Sequence, residues 1–407
     1  MAMKHLYLFV FVVILIFSRP VGAQDPYFSQ FYASRMYLNP AYAGFDPGGS
    51  VELSYRDQWF GLPDGDVSTF KDSYRTYLVS TGLQLPCIWE LDGLNFGLGL
   101  AAFKDEAGNT PLETQGFSFA FSNEVQLGNS LTRRNSRADL QRLDIRLGAQ
   151  VSLLQRNLDG NYFIYSSQLD PVVGLVGNPA VLNLSSAWFM NINAGIMVRG
   201  YIKKSRYNDN LFTLGFSFSN VNEPNESIRD GAGGFNLPMR TTLHAGFTQK
   251  IFQFAGNKQP IYLAPQFRWD HQAQGNFNLY TLGAYVLSKG VYSGLFLQGN
   301  TRYYKAPPPN NLFDGNFLTK NTTSLILNAG LDLRTVFSRG RTWKNRPSGI
   351  VLGLSYDIGV GGLTQDNTLG VFELHFRASF GKDRRNDFCG AELGKFELYN
   401  GDCPVRF

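Results

Sequence analysis

The stretch Phe212-Thr213-Leu214-Gly215-Phe216-Ser217-Phe218-Ser219 sets a bulky apolar side chain at every second position and a small or polar residue between. A period of two puts alternate residues on opposite faces of an extended strand, so this segment has one aromatic or aliphatic face and one small, polar face. The same alternation recurs in Leu143-Asp144-Ile145-Arg146-Leu147-Gly148, across Phe117 to Ser122, and in Phe372-Glu373-Leu374-His375-Phe376-Arg377. A soluble β-sandwich would also alternate. Segment length, about ten residues or more, and Phe, Leu and Tyr set against Gly, Ser and charges favour a membrane barrel, because closure satisfies every backbone group in lipid while the lumen stays wet.

Fourteen such segments can be counted: 51–60, 74–84, 94–104, 114–126, 141–154, 187–200, 211–219, 241–254, 260–269, 277–288, 291–304, 322–336, 348–360 and 369–380. The expected fold is therefore all-β, a single transmembrane antiparallel β-barrel over residues 51–380, whose even strand count brings both ends to one side. With a periplasmic N-terminus, the outer connections 61–73, 105–113, 155–186, 220–240, 270–276, 305–321 and 361–368 total 107 residues. The inner ones, 85–93, 127–140, 201–210, 255–259, 289–290 and 337–347, total 51, the asymmetry expected of long outer loops and short inner turns. Charge sorts the same way. The inner turns hold twelve Lys or Arg against four acids, and the outer loops six against fourteen.

Composition agrees. The 407 residues are 43% hydrophobic, 14% aromatic and 17% charged, with a mean hydropathy of −0.17. Disorder is excluded, and so low a charged fraction, against about a quarter in soluble domains, suggests apolar surface facing something other than water. Residues 1–23 read as a signal peptide: Lys4, an apolar run from Leu6 to Phe17, and Val21-Gly22-Ala23 before Gln24. That run is too short for a spanning helix, and no later stretch reaches eighteen consecutive apolar residues. Removing Lys4 and Arg19 lowers the formal charge from +5 to +3, too little to argue for nucleic acid. Export into an oxidising compartment would let Cys389 and Cys403 close a small loop and leave Cys87 odd, or all three stay free thiols.

The ends of the mature chain carry more specific signals. Gln24-Asp25-Pro26-Tyr27-Phe28-Ser29-Gln30-Phe31 followed by Tyr37-Leu38-Asn39-Pro40-Ala41-Tyr42-Ala43-Gly44 resembles the opening motif of the PorP/SprF family of Bacteroidetes outer-membrane proteins. Arg56-Asp57-Gln58-Trp59-Phe60-Gly61 resembles the family's Arg-x-Gln-Trp element, and Leu354-Ser355-Tyr356-Asp357 with Phe372-Glu373-Leu374 its closing strands. The ending Cys403-Pro404-Val405-Arg406-Phe407 is similar as well. The resemblance implies a barrel of the type IX secretion and gliding-motility apparatus, accompanying protein secretion or surface attachment of large adhesin-like cargo and meeting periplasmic components. Between about residues 105 and 340 only the barrel rhythm is shared, and neither loop 155–186 nor the acidic outer face matches a motif.

Three groups of residues are candidate sites. Phe28, Phe31, Tyr32, Tyr37, Asn39, Pro40, Tyr42 and Gly44 lie in the segment 24–50, which either folds into the barrel mouth or lumen as a plug that guides partner docking or covers the periplasmic rim. Glu52, Arg56, Asp357, Glu373, His375 and Arg377 fall on inward positions of the first and last two strands, as a wall-bracing ionic network or as a gate or cargo contact. Arg133, Arg134, Arg137, Lys203, Lys204, Arg206, Arg339, Arg341, Lys344 and Arg346 crowd the inner turns, facing an acidic periplasmic partner or lipid phosphates. Residues 381–407 form a periplasmic tail after the barrel.

No catalytic group is expected. His244, His271 and His375 are scattered, and none has Ser or Cys two or three residues away on the same stripe. Glycine-rich pieces such as 93–99 lack phosphate-loop spacing, so no cofactor is expected. Asp64, Asp66, Asp105 and Glu106 form no dense ligand loop, so no metal is expected either. Two functions fit: a non-enzymatic secretion accessory, or a channel or FadL-like transporter for small solutes. Fourteen strands give an intermediate bore that does not separate them.

Overall fold

The computed structural model describes residues 27–46, 48–60, 73–86, 94–107, 112–128, 139–159, 169–170, 174–175, 183–205, 208–228, 236–253, 260–272, 277–288, 290–302, 322–333, 349–360 and 369–380. The signal peptide, the C-terminal tail, Cys87, Cys389 and Cys403 lie outside them. The barrel strands are β1 (Gly49–Gln58), β2 (Tyr74–Pro86), β3 (Leu94–Ala107), β4 (Leu112–Gly128), β5 (Asp139–Asp159), β6 (Phe189–Ser205) and β7 (Asn208–Ser219). They continue with β8 (Arg240–Gln253), β9 (Pro260–Gln272), β10 (Phe277–Ser288), β11 (Val291–Arg302), β12 (Thr322–Asp332), β13 (Gly349–Gly359) and β14 (Val371–Phe380). Each pairs antiparallel with the next, and β1 pairs with β14 from Gly49↔Phe380 to Gln58↔Val371, closing a ring of 14. Among the described residues no helix is long and apolar enough to cross a membrane.

Alternation along each strand separates two environments. On β4, Phe117, Phe119 and Phe121 are exposed, whereas Ala120 and Ser122, on the alternate face, are fully buried. Leu53, Leu100, Leu147, Leu214, Leu282, Leu295 and Leu374 continue this apolar exterior around the ring. A ten-residue strand tilted by about 40° rises roughly 25 Å, the height of the apolar band that lipid requires. Phe119→Arg, at mid-strand, is expected to cost about 2–4 kcal/mol, and Tyr74→Arg, at a strand end, about 0–1 kcal/mol. Urea unfolding in liposomes measures both; equal costs would mean that lipid does not cover this face.

Several boundaries differ from the sequence reading for identifiable reasons. β5 extends past the expected 141–154 because its ladder with β4 continues from Gly128↔Arg142 to Leu112↔Leu158. The connection expected over 105–113 is largely a hairpin, paired as far as Ala107↔Leu112, with Lys104 bridging Glu106 at 2.7 Å and Glu113 at 3.2 Å. The expected loop 155–186 contains three short strands: Leu169–Asp170 pairs with Gly174–Leu175, and Asn183–Ser185 adds to β5. Beyond the lipid, both faces of a strand meet water and apolar alternation ends although backbone pairing does not. β1 stops at Gln58 because Trp59 takes a φ of 62° and donates its N–H to the Gly370 carbonyl at 2.8 Å.

Candidate functional site

Residues 27–46 do not lie along the rim. They occupy the lumen. The short helix α1 (Arg35–Leu38) leads to Asn39, whose side chain accepts the Ala41 N–H at 2.9 Å and starts a single 3-10 turn over Pro40–Tyr42. Proline suits this first position because it lacks the N–H that the turn leaves unused. Gly44 then turns the chain toward β1 at a φ of +57°, with the Leu83 carbonyl and Gly97 Cα so near that no side chain would fit. Phe28, Phe31, Tyr32, Asn39, Pro40, Tyr42 and Gly44 are buried and Tyr37 is half-buried.

The segment is bonded to the wall on several sides. At the seam, the Glu373 carboxylate accepts the backbone N–H groups of Ser29 at 2.7 Å and Gln30 at 2.9 Å. Arg56 donates to Ser29 Oγ at 2.9 Å and pairs with Glu373 at 2.5 Å and Asp357 at 3.8 Å, while Ser29 Oγ donates to Asp357. One turn further, Arg35 lies at 2.5 Å from both Asp46 and Glu52, and Ser34 meets Ser54 at 2.9 Å. Across the lumen, Asn39 Nδ2 donates to the Ile196 and Phe216 carbonyls at 3.1 and 3.3 Å, and Ser217 Oγ donates to the Leu38 carbonyl at 2.8 Å. Arg146, paired with Glu124 at 2.6 Å, donates to the carbonyls of Ala41 and Ala43 at 2.9 and 2.8 Å. On a third side the Tyr27 and Thr281 hydroxyls share a 2.5 Å bond, and Tyr32 packs edge-on against Tyr285 with ring centres 4.7 Å apart.

The wall is shaped to this backbone. A Cβ added at Gly97 would lie 2.1 Å from the Ala43 carbonyl oxygen, at Gly148 2.2 Å from Ala41 N, and at Gly195 2.0 Å from Asn39 Oδ1. Three strands, β3, β5 and β6, therefore omit a side chain where the segment passes.

Charges within the segment are matched. Burial alone would lower the pKa of the Arg35 guanidinium, but facing Asp46 and Glu52 outweigh it and raise it above its ordinary value. Burial pushes the Tyr27 and Tyr42 hydroxyls up to about 12, so both stay neutral at physiological pH. Phe45 lies under three guanidiniums, Arg35, Arg146 and Arg199, at 5.2, 5.4 and 4.8 Å, so its ring face offsets part of their crowding.

Of the six expected ionic wall residues, Arg56, Asp357 and Glu373 form one cluster through Ser29. Glu52 stands opposite Arg377 in register, yet its ion pair is with Arg35 of the segment. His375 is buried and meets Ser54 Oγ at 3.1 Å. Lys203 and Lys204 lie at the end of β6; Arg133, Arg134, Arg137, Arg206, Arg339, Arg341, Lys344 and Arg346 fall outside the described residues. The sequence reading missed Ser29, Arg35, Asp46, Glu124 and Arg268, the last paired with Asp270 at 2.6 Å. Arg146 was legible in principle, since it alternates with Leu143, Ile145 and Leu147 and must face inward. Among the described residues no group of three or more His, Cys, Asp or Glu could hold a metal ion.

A closed ring of 14 antiparallel strands, apolar outside and polar within, defines an outer-membrane-type β-barrel, here with its own N-terminal segment in the lumen. Its sequence matches the family of type IX secretion system membrane protein PorP/SprF over residues 21–377, and the chain belongs to that family. No curated protein matches it. Among solved structures, a FadL homologue of Pseudomonas aeruginosa is 14% identical, the likeness covering 86% of this chain and 94% of that one at a TM-score of 0.37. Pseudomonas putida OprB is 10% identical over 82% of this chain and 93% of that one, with a TM-score of 0.35. A deltaS2S3 mutant of the TodX monoaromatic hydrocarbon channel is 14% identical over 84% of this chain and 92% of that one, with a TM-score of 0.39.

Proposed function

We propose that this barrel is a non-enzymatic, plugged scaffold of the type IX secretion and gliding apparatus. It sits in the outer membrane, supports secretion or surface anchoring of large adhesin-like cargo at one mouth, and docks periplasmic components at the other. Residues 1–23 are its signal peptide, 24–50 its plug and 381–407 its periplasmic tail, and the basic inner turns steer the periplasmic partner. The observation that carries this reading is the occupied lumen. Residues 27–46 are hydrogen-bonded or ion-paired to inward groups of β1, β4, β5, β6, β7, β10 and β14, which suits a structural support better than a solute path.

The test is affinity capture through a C-terminal tag after gentle extraction from native outer membranes. A large secreted protein or periplasmic type IX components are expected to copurify. Recovery of the barrel alone, together with solute-dependent conductance in planar bilayers, would sink the scaffold reading and favour a FadL-like transporter.

A further inference from the structure

Residues 27–46 run up and down the lumen more than once, and their wall contacts give the depth of each pass. Just ahead of β1, Gly44 sits at the Leu83 carbonyl and Gly97, near the ends of β2 and β3 at the mouth where β1 starts. Followed backwards from there, the chain reaches the opposite mouth at Tyr37, which stacks on Phe103 and lies 5.2 Å from the guanidinium of Arg240, the first residue of β8. Tyr32 is back near the first mouth, packed on Tyr285 and Tyr292 close to the turn between β10 and β11. Ser29 has returned to the far mouth. Its partners Arg56, Asp357 and Glu373 are each the third residue from the end of their strand on that side. Tyr27 stays in the same half, its hydroxyl on Thr281 at 2.5 Å and its ring 4.1 Å from the Arg268 guanidinium.

Exposure gives the same direction. Of residues 27–46 only Tyr27 and Tyr37 are half-buried, and all others are buried. Tyr37 lines a cavity of about 110 Å³ whose other walls include Asp105, Thr114, Arg156, Asn191 and Arg240, all at the strand ends where β1 finishes. The way back from Tyr27 to the mouth where β1 starts is filled: Phe31, Tyr32, Tyr285, Tyr292 and Phe296 pack into one cluster, each less than a tenth exposed. A further stretch of backbone has no room in such packing, and its N–H and C=O groups would find no partners among these rings. The mouth where β1 finishes also carries the connections 160–188, 220–239 and 303–321, and barrels of this class turn their longer loops outward.

We propose that the chain ahead of Tyr27 leaves the lumen through this outer mouth, so that the mature N-terminus lies at the cell surface although β1 starts on the periplasmic side. The segment is then a connector from mouth to mouth. Its first residues join the face that meets partners outside the cell, and its last enter the wall at the periplasmic rim. The proposal rests on the reading of residues 1–23 as a removed signal peptide, and it holds for a scaffold and for a transporter alike.

An epitope inserted between Gln24 and Asp25 of the full-length chain tests this in the native outer membrane, with antibody binding compared on intact and permeabilised cells. The same epitope after Phe407 is the control for cell integrity. The N-terminal epitope is expected to bind antibody as strongly on intact cells as on permeabilised ones, and the C-terminal one only after permeabilisation. Mass spectrometry of the purified protein reads the first residue. An epitope reached only after permeabilisation, on a chain that starts at Gln24, would overturn the outward path. A chain that keeps residues 1–23 would overturn the signal-peptide reading, and the proposal with it. Where the insertion stops the barrel from folding, Asp25→Cys takes its place, probed with a maleimide on a polymer too large to cross the outer membrane. Labelling of intact cells above that of the native chain, whose Cys87, Cys389 and Cys403 set the baseline, is expected; labelling only after permeabilisation sinks the idea.

Discussion

Replacing Arg35 with alanine is expected to lower the stability of the barrel by about 3–5 kcal/mol, because it removes the guanidinium that two buried carboxylates share. Asp46 and Glu52 are both more than nine-tenths buried, and each lies 2.5 Å from the same guanidinium nitrogen. One carboxylate comes from the segment and the other from β1, so the loss falls on the joint between them. Neutralising one of the two carboxylates should recover part of the damage, and Arg35→Ala with Glu52→Gln is expected to be more stable than Arg35→Ala alone. Urea unfolding in liposomes reads both. A loss below about 1 kcal/mol for the single variant would place this pair in a solvated environment and remove the argument.

Gly148→Val is expected to expel the segment and open the lumen. Its Cβ would sit 2.2 Å from Ala41 N and 2.4 Å from the Pro40 carbonyl carbon, which are backbone atoms held by Asn39, Arg146 and Ser217 and unable to swing aside as a side chain would. The outer ring is anchored by its ladders, so the segment is the part that yields. In planar bilayers the native barrel should stay closed to small ions and Gly148→Val should conduct. Gly246→Ala is the control, because its added Cβ would meet nothing nearer than Gln266 Cγ at 3.8 Å; it should stay closed. A folded Gly148→Val barrel that remains closed would mean that residues 27–46 do not seal the lumen.

The barrel was legible because lipid forces a two-residue rhythm: Phe212 to Ser219 alternates so plainly that its strand could be placed within three residues. Where lipid stops, so does the rhythm, and the ends of β3, β4 and β5 at the mouth where β1 ends read as loops although their ladders continue. The inward charges of β1, β13 and β14 were placed by the same parity. Their partners were harder to infer, because a strand's own period says which way a side chain points but not what fills the space ahead of it. Arg35 lies in a segment without alternation, and no local pattern links it to Glu52. Gly97, Gly148 and Gly195 are absences matched to a segment 50 to 160 residues away in sequence, which no local pattern records.

The contact between Ser29 and Glu373 spans 344 positions of chain and lies across the last seam of the ring. A finished cylinder offers its first residues no sideways entry, so after β1 and β14 zip together the segment can reach its place only through a mouth. Contacts this distant in sequence form late and slowly, since their loop-closure entropy is met before any bond rewards it. Docking of the segment therefore also bears on the stability of the closed seam. A chain that closes without its N-terminal segment leaves Glu52 without Arg35 and Glu373 without its two backbone donors, and such an empty ring is the less stable product.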